Sequence, residues 1–576
     1  MLVFLVSSAF LLASVHAASL TTVSPGVQAQ KNDIANSFPF HVQLDPNYQL
    51  YWNFNATHIT FKTDVKTKGY VGFGISSNGK MFPADVVMGW VKDGVSHFSD
   101  RHTTAHAAPS VDTQQDWTLL SAHETHDSTV LTFQRKLETC DDQDIAIVEG
   151  TTRVIFSYHP SDPSDPSDPS DVTSIPYHGS ERRGARSLLL LDPPASESKT
   201  PPSPASVRTL EFLNGNFSVP GKDTFYHCTS WALPDLGGKH HLIRYEPIIQ
   251  PGHEKLLHHI LIYYCQGKVA ASMAGRSYEC YEETPPQLGY CYSVLIAWAV
   301  GGMAFDFPDH VGLPLGTDAD PGFFVMETHY DNPAMRSDFV DNSGIRVTLT
   351  KELRPNDAGI LEMGVNVDTN QAVPALTKEM LSVGYCSADC MAESLGDQEI
   401  HVFSNLLHSH LLGYEIRTRL IREGKELQPL AQDSNYDFNY QEMRKLHEEV
   451  VVKKGDSFIV ECLYKAPNKN KSTFGGLGTR DEMCLSFPMY YPRMSMTNCL
   501  SRVQYQLPVG MYSVESWVNS LDWTKQSNHD MFQKQTKESR VQVYCIGSKR
   551  FSSFGTSYNQ TSLHPSVPYV EPSACN

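Results

Sequence analysis

Beyond its first twenty residues, the chain lacks any apolar run long enough to cross a membrane. The longest nearly apolar stretch covers residues 293–305, whereas a spanning helix needs about 20 apolar residues. The tail, VPYVEPSACN, carries no hydrophobic anchor. An excess of positive charge is also missing, since 46 Lys and Arg face 64 Asp and Glu for a formal net charge of -18. This balance argues against a nucleic-acid partner, and we expect no transmembrane anchor in the mature protein.

The first residues, MLVFLVSSAFLLASVHAASL, contain no Lys or Arg. Their apolar run ends in Val15-His16-Ala17, which fits a signal-peptidase site near Ala17 or Ala18. We therefore predict a cleaved secretory signal over residues 1–18, with an uncleaved anchor as the alternative.

Export also agrees with the cysteine content. The 12 cysteines, an even number, can form disulfides in an oxidising compartment. The predicted location is the secretory pathway, with a secreted or lumenal product. Four N-x-S/T sequons are candidate glycosylation sites: Asn55, Asn216, Asn470 and Asn559.

A chain of 576 residues is too long for one core and suggests roughly three or four domains. Residues 38–160 read as short alternating strands between turn residues, the pattern of a β-sandwich. Residues 161–206 are rich in Pro and Ser and predict a linker. Within it, ERRGARS (residues 181–187) carries an R-x-x-R pair that a processing protease could cut, but a solvated charged loop is preferred.

The strand signature returns after the linker, so the whole protein is predicted to be all-β. Residues 207–545 exceed one sandwich and divide near residue 350. This gives two further antiparallel β-sandwich domains, residues 207–350 and 351–545, followed by a tail at 546–576.

His253 and His258 form H-E-x-x-x-H, which only approximates the zinc-protease motif H-E-x-x-H. On a helix, the extra residue would rotate the second histidine off the face of the first. The sequence therefore argues against a zinc protease, although a zinc hydrolase remains a distant alternative.

Two histidine pairs in strand-like runs deserve a metal interpretation. His408 and His410 alternate on one strand, so both imidazoles project to the same side. His258 and His259 are adjacent and can share one ion only if the strand twists or bulges there. The pair His240-His241 receives no metal role.

One further residue completes each of two different sets of candidate metal ligands. His329 ends an apolar strand and joins His258 and His259, whereas Met483 joins His408 and His410. A thioether favours Cu(I), and imidazole accepts either copper oxidation state. Two different copper sites would imply one-electron redox chemistry.

Many segments together resemble the copper type II, ascorbate-dependent monooxygenases, in the branch of dopamine β-hydroxylase and its monooxygenase-like relatives. They are YHC, YEPII, LLHHILIYYC, HYDNP, AGILEMG, GYCSADC, LLHSHLLG and GTRDEMC, in this order between residues 207 and 544. GYVGFGIS and PADVVMGWV, in residues 38–160, resemble the DOMON domain that precedes the oxygenase in that branch. The expected fold is a DOMON β-sandwich followed by two consecutive jelly-roll-like copper domains.

The resemblance implies hydroxylation of a C-H bond in a small, mainly amine, substrate with O2 and with ascorbate as the electron donor. It implies two copper ions per subunit, one held by His258, His259 and His329 and the other by His408, His410 and Met483. Tyr226 and His408 match the positions that the family labels as active-site residues. It also implies six disulfides: Cys228 with Cys280, Cys265 with Cys291, Cys386 with Cys499, Cys390 with Cys545, Cys462 with Cys484, and Cys140 with Cys575.

These bridges would leave no cysteine for an interchain disulfide, so any homo-oligomer would be noncovalent. Glu362 is an acidic candidate to meet an amine, although a solvated or hydrogen-bonded strand residue is the preferred interpretation. The alternative function is a catalytically silent, secreted copper-binding or interaction protein with the same fold.

Overall fold

The computed structural model describes residues 38–164, 174–192, 202–265, 269–289, 291, 293–299, 302–476, 478, 480–547, 556–560, 564–571 and 575. The predicted signal at 1–18 lies outside the described residues, as does most of the two Pro/Ser-rich segments of the predicted linker. Among the described residues, none of the helices combines the length and apolarity needed to cross a bilayer.

The first unit is a sandwich of two sheets whose inward side chains form one core. The alternation in β3, where every second residue is buried, is what a strand with one face on the core requires. The strands of the first sheet are β1 (Phe40–Asp45), β2 (Tyr48–Phe54), β3 (His58–Val65), β8 (Thr118–Glu124) and β9 (Thr129–Lys136), in spatial order β1-β2-β3-β9-β8. Those of the second are β4 (Val71–Ser76), β5 (Ala84–Lys92), β6 (Val95–Thr103), β7 (Ser110–Val111), β10 (Thr151–Tyr158) and β11 (Arg183–Leu189), in spatial order β11-β10-β4-β5-β6-β7.

Strand β11 corrects the predicted linker. Arg183 and Arg186 do not lie in a solvated loop, because their strand pairs antiparallel with β10 along its whole length. Both side chains are exposed, but Leu188 and Leu189 of the same strand are buried. Because the segment begins with charged residues, no sequence signal indicated this strand, which completes the first sandwich.

The second unit carries two larger sheets and a two-stranded ribbon. Its first sheet contains β12 (Val207–Leu213), β15 (His240–Ile248), β19 (Phe305–Asp306), β20 (Val311–Leu315), β23 (Gly344–Thr350) and β24 (Asn356–Asp357). The second contains β14 (Thr224–Ala232), β16 (Leu257–Tyr264), β17 (Ser277–Glu279), β18 (Ser293–Ala299) and β21 (Phe323–Asp331), in spatial order β17-β14-β21-β16-β18. The ribbon pairs β13 (Phe217–Ser218) with β22 (Val340–Asp341).

The third unit repeats the sandwich plan and adds three short helices. Its larger sheet contains β25 (Gly359–Ile360), β26 (Glu362–Val365), β29 (Ile400–Ser409), β33 (Arg444–Val452), β36 (Cys484–Tyr491), β37 (Asn498–Val503), β38 (Val541–Ile546) and β39 (Thr556–Gln560). The smaller contains β28 (Met380–Cys386), β30 (Gly413–Arg422), β31 (Lys425–Glu426), β32 (Ala431–Asp433) and β34 (Ser457–Tyr464), and a ribbon pairs β27 (Ala372–Val373) with β35 (Thr473–Phe474). The helices are α1 (Ala388–Leu395), α2 (Val514–Ser520) and α3 (Gln526–Glu538).

The all-β prediction with three consecutive sandwiches is confirmed, with one refinement. Among the strand pairs that the structure describes, β20 with β24 and β26 with β37 run parallel, and the others are antiparallel. One apolar cluster spans the second and third units, since Phe403 and Phe487 of the third join Leu242 and Trp298 of the second. This shared core holds the two units against each other.

The 12 cysteines form six pairs in the structure, and these are the pairs that the resemblance implied. Five bridges lie within the second or third unit, whereas Cys140–Cys575 joins the first unit to the end of the chain. Of the predicted sequons, Asn55, Asn216 and Asn470 are exposed, and Asn559 lies in β39. Their glycosylation stays a prediction.

Candidate metal centres

Three histidines of the second unit form one buried cluster. His258, His259 and His329 are 4%, 7% and 2% exposed, and one ring nitrogen from each lies within 4.8 Å of the others. His329 sits on β21, opposite Tyr226 on β14 and His259 on β16. Neighbouring strands of one sheet therefore assemble the cluster.

A local irregularity brings the adjacent pair together. The register between β16 and β21 shifts between Leu257 and His259, so His258 occupies a bulge. The Nδ1 atoms of His258 and His259 consequently lie 3.1 Å apart. This is the departure from a regular strand that the sequence required for a shared ion.

The environment of His258 and His329 favours neutral imidazoles. Burial, reinforced by His259 and His408, lowers the pKa of His258 to about 3. Burial also holds the pKa of His329 well below its ordinary value. A neutral imidazole keeps a lone pair available to a metal ion.

A buried carboxylate orients this cluster from behind. Glu327, 2% exposed, lies 3.2 Å through Oε1 from Nε2 of His259. Its other oxygen accepts hydrogen bonds from the hydroxyls of Tyr263 and Tyr281. A carboxylate on one ring nitrogen directs the other toward a metal, an arrangement common around metal-binding histidines.

The tyrosine singled out from the sequence contacts the cluster through its ring. Tyr226 stacks on His329 with a centroid distance of 4.3 Å and an interplanar angle of 10°. It also meets Tyr281 edge-on at 5.4 Å. The stack restricts rotation of the His329 imidazole.

The second cluster lies at the end of β29 in the third unit. His408 and His410 have ring centroids 5.2 Å apart. Nδ1 of His408 lies 2.7 Å from Oε1 of Gln441, and Nδ1 of His410 lies 3.1 Å from the carbonyl oxygen of Asp481. Because these acceptors fix the proton on Nδ1, both rings keep Nε2 for a ligand.

Burial also keeps this second pair neutral. It lowers the pKa of His408 to about 4, with a smaller contribution from His259. The pKa of His410 is likewise held well below its ordinary value, chiefly by burial and then by His408. The imidazoles of His408 and His410 therefore meet the same condition for metal binding as those of His258 and His329.

Strand pairing places Met483 beside this pair. His408 pairs with Leu485 and Ser409 with Cys484, and His410 and Met483 are the residues that directly adjoin this last pair. Met483 is 8% exposed, and its carbonyl oxygen accepts a hydrogen bond of 2.6 Å from Tyr464. The next residue is held in the Cys462–Cys484 disulfide.

Glu482 ties the two strands of the second cluster together. Its Oε2 accepts hydrogen bonds from the amides of His410 and Met483 and from the hydroxyl of Ser409. Its Oε1 accepts one from the amide of Leu412. Burial raises the pKa of Glu482 to about 7.

One segment, from the last residue of β32 to the first residue of β33 (residues 433–444), contacts both clusters, and we call it the bridging segment. Phe438 stacks on His258 at a centroid distance of 4.2 Å and lies 6.0 Å from His410. Gln441 belongs to the same segment. The bridging segment therefore touches both histidine clusters, which come from different units.

The remaining sequence candidates lie elsewhere. The ring of His240 forms a hydrogen bond with the Gly238 carbonyl, and the ring of His241 forms one with Asp357. His253 pairs with Asp341 at 2.7 Å and precedes a strand rather than standing on a zinc-protease helix.

Glu362, the candidate amine partner, is a hydrogen-bonded strand residue. It begins β26 and accepts from the side chain of Asn498. Burial raises its pKa to about 7. This agrees with the preferred interpretation of Glu362 from the sequence.

Sequence reasoning missed the groups that orient the ligands. Glu327 and Glu482 were open to discovery, because Glu327 shares a strand face with His329 and Glu482 precedes Met483. Phe438 and Gln441 carried no such signal, since they lie in an irregular segment whose position depends on tertiary contacts.

Comparison with known proteins agrees with this architecture. Family models match at three places: the copper type II ascorbate-dependent monooxygenase N-terminal domain at residues 210–337, its C-terminal domain at 356–509, and the DOMON domain at 44–159. DBH-like monooxygenase protein 1 of Gallus gallus is 42% identical over 473 residues, which cover 81% of this chain and 75% of the relative.

A more distant relative and one solved structure extend the comparison. Dopamine beta-hydroxylase of Rattus norvegicus is 33% identical over 478 residues, which cover 81% of this chain and 74% of the relative. The solved cytochrome b domain of pyranose dehydrogenase from Coprinopsis cinerea aligns with 26% of this chain and 80% of its own, at 20% identity and a TM-score of 0.22. That structural likeness is too weak to support an argument. The identity and coverage of the curated relatives, together with the matched domains, establish that the chain belongs to the copper type II ascorbate-dependent monooxygenases, with copper and ascorbate as its cofactors.

Proposed function

We propose that this protein is an active monooxygenase that hydroxylates a C-H bond of a small, amine-type substrate. One atom of O2 enters the C-H bond and the other leaves as water, with two protons and two electrons supplied from ascorbate. The observation that carries the proposal is the presence of two separate histidine clusters. In one, ring nitrogens of three histidines lie within 4.8 Å of one another, and in the other the Nδ1 atoms of His408 and His410 lie against fixed acceptors, which leaves both Nε2 atoms for a ligand.

The donor sets of this chain fit copper. His258, His259 and His329 would hold the electron-donating copper, and His408, His410 and Met483 would hold the copper at which oxygen and substrate meet. Bound copper would supply the one-electron chemistry that O2 activation requires. Three protein donors at each site leave positions open for exchangeable ligands.

The protein's own groups orient and shield these donors. Glu327 and Tyr226 hold the first cluster, and Gln441 and Glu482 hold the second. Phe438 covers His258 from the third unit. These contacts favour a fixed, water-poor site, which limits unproductive loss of reducing equivalents.

A relative's name and the disulfides support the proposed substrate class and location. The printed name of the rat relative, dopamine beta-hydroxylase, supports an amine. The six disulfides support passage through the secretory pathway, with a secreted or lumenal product.

The direct test is product analysis with copper-loaded protein, ascorbate and 18O2 across a panel of small amines. We expect one labelled oxygen atom per product. Met483→Ile should abolish labelled product, whereas Met489→Ile, a substitution at a buried core position of β36, the strand that Met483 directly precedes, should retain it. Binding of two coppers without product from any amine would instead support a silent copper-binding protein.

A further inference from the structure

The first unit, which we call the DOMON unit after its family match, makes a buried polar contact with the bridging segment. Asp433 is fully buried. Its Oδ1 accepts a hydrogen bond of 3.0 Å from the amide of Thr151, and its Oδ2 accepts one of 2.7 Å from the Thr151 hydroxyl. Arg444 donates to the same Oδ2 at 2.7 Å. A buried carboxylate with this many donors is strongly fixed in place.

The backbone of the DOMON unit is shaped for this approach. Gly150 has a φ of +103°, and a Cβ there would come within 2.8 Å of Oδ1 of Asp433. A side chain at this position would be strained and would push the carboxylate away. The close contact between the two units therefore depends on glycine.

Further contacts extend the docking surface. Arg153 donates a hydrogen bond of 2.9 Å to the carbonyl oxygen of Tyr436. Ser187, on strand β11, donates a hydrogen bond of 2.6 Å to Asp437. The Cys140–Cys575 disulfide ties the same unit to the tail, in which Tyr569 bonds to Glu426 on β31.

The other side of the bridging segment contacts the candidate copper ligands. The Tyr436 hydroxyl donates to the carbonyl oxygen of Ser409 at 2.6 Å and accepts from its amide at 3.0 Å. Ser409 lies between the two histidines of the second cluster. Gln441 holds His408, and Phe438 stacks on His258.

Residues 434–443 lie outside the strands that flank them. No sheet pairing fixes their path, so side-chain contacts at both ends must do so. From Asp433 to Gln441 the chain runs directly from the DOMON contact to the second cluster.

We infer that the DOMON unit acts as a positioning domain, which holds the bridging segment so that His408 and His410 are preorganised for copper. Thr151, Arg153 and Asp433 are then positioning residues that act through Tyr436 and Gln441. This inference rests on the proposed assignment of the second cluster as a copper site.

Thr151→Val in the full-length chain is the sharpest test, because it removes the hydroxyl and nearly keeps the shape. Thr152→Val is the matched control, since adjacent residues of β10 face opposite sides. Copper binding to the metal-free protein is measured by chelator competition. The rate at which diethylpyrocarbonate modifies His408 is measured by mass spectrometry, also without metal.

We expect Thr151→Val to weaken one of the two copper sites by about tenfold and to speed modification of His408. Thr152→Val should match the wild type in both measurements. Wild-type values for Thr151→Val would overturn the inference. If Thr151→Val is not secreted, Arg153→Ala, which removes only the bond to the Tyr436 carbonyl and weaker contacts, is judged by the same criteria.

The two proposals fail in different ways. A wild-type chain that binds fewer than two coppers contradicts the proposed function. A wild-type chain that binds two, with variants that bind them equally well, contradicts only the positioning role.

Discussion

His258 and His259 are neighbours in one strand, yet their Nδ1 atoms lie 3.1 Å apart. A regular strand would direct the two side chains to opposite faces. The bulge at His258 removes this separation while His259 keeps its pairing with His329. The local irregularity thus creates the three-histidine cluster, and the following predictions concern the groups that hold the two clusters.

Glu327→Gln tests the carboxylate behind the first cluster. The amide keeps the shape of the side chain but loses the negative charge next to Nε2 of His259. We expect copper affinity at one site to fall by about 10- to 100-fold, measured by chelator competition. Glu246→Gln, at a half-buried ion pair on another sheet, should leave both affinities unchanged. Equal affinities in the wild type and Glu327→Gln would exclude this role.

The contributions of the Tyr226 ring and of its hydroxyl can be tested separately. Because the observed contact is a stack on His329, Tyr226→Leu should weaken copper at the first cluster and Tyr226→Phe should not. Copper stoichiometry and turnover on an amine substrate measure the two effects. Loss of turnover in Tyr226→Phe with both coppers bound would assign a chemical role to the hydroxyl. Normal affinity in Tyr226→Leu would show that the stack is dispensable.

The Cys462–Cys484 bridge should anchor Met483 as well as stabilise the fold. A disulfide that closes a sequence separation of 22 residues contributes about 3 kcal/mol. The double variant Cys462→Ala/Cys484→Ala should therefore unfold at lower temperature and also bind copper more weakly at the second cluster.

The matched control for this bridge is Cys386→Ala/Cys499→Ala, which removes another bridge of the same unit. It should lose stability but keep the copper affinity. Equal loss of affinity in both double variants would mean that the effect is general destabilisation.

His227 gives the metal-free protein a specific pH dependence. Its ring is buried and stacked on Phe217 at 3.7 Å, and burial lowers its pKa from 6.5 to about 4. Between these values the unfolded chain binds more protons than the folded one, so stability decreases as the pH falls from 6.5 to 4. The full contribution is roughly 3 kcal/mol.

Urea unfolding of metal-free protein across this pH range tests the effect. Other buried groups titrate as well, so the informative quantity is the difference between the wild type and His227→Gln. The variant should lose less stability on acidification. Parallel pH profiles would contradict the assignment.

Sequence alone was enough to predict the strand-rich fold, the residues proposed for both clusters and, through the family resemblance, the cysteine pairs. The alternation of side chains along a strand also indicated that His258 and His259 could share an ion only at a twist or bulge. These inferences succeed because alternation along a strand and ligand chemistry are encoded locally. The same local reasoning placed Arg183 and Arg186 in a loop, since a charged, exposed strand edge resembles a linker until its pairing partner is known.

The placement of the two clusters relative to each other, and the contacts that hold them, required the folded structure. Phe438 stacks on His258, and Asp433 accepts a hydrogen bond from Thr151. Both contacts join residues far apart in the chain, and the periodicity of the sequence carries no signal for them. Such contacts depend on the relative placement of whole units, which is set by buried surface and by polar groups that must find partners after burial. For this reason the residues proposed as ligands were open to prediction from the sequence, whereas the segment that contacts them was not.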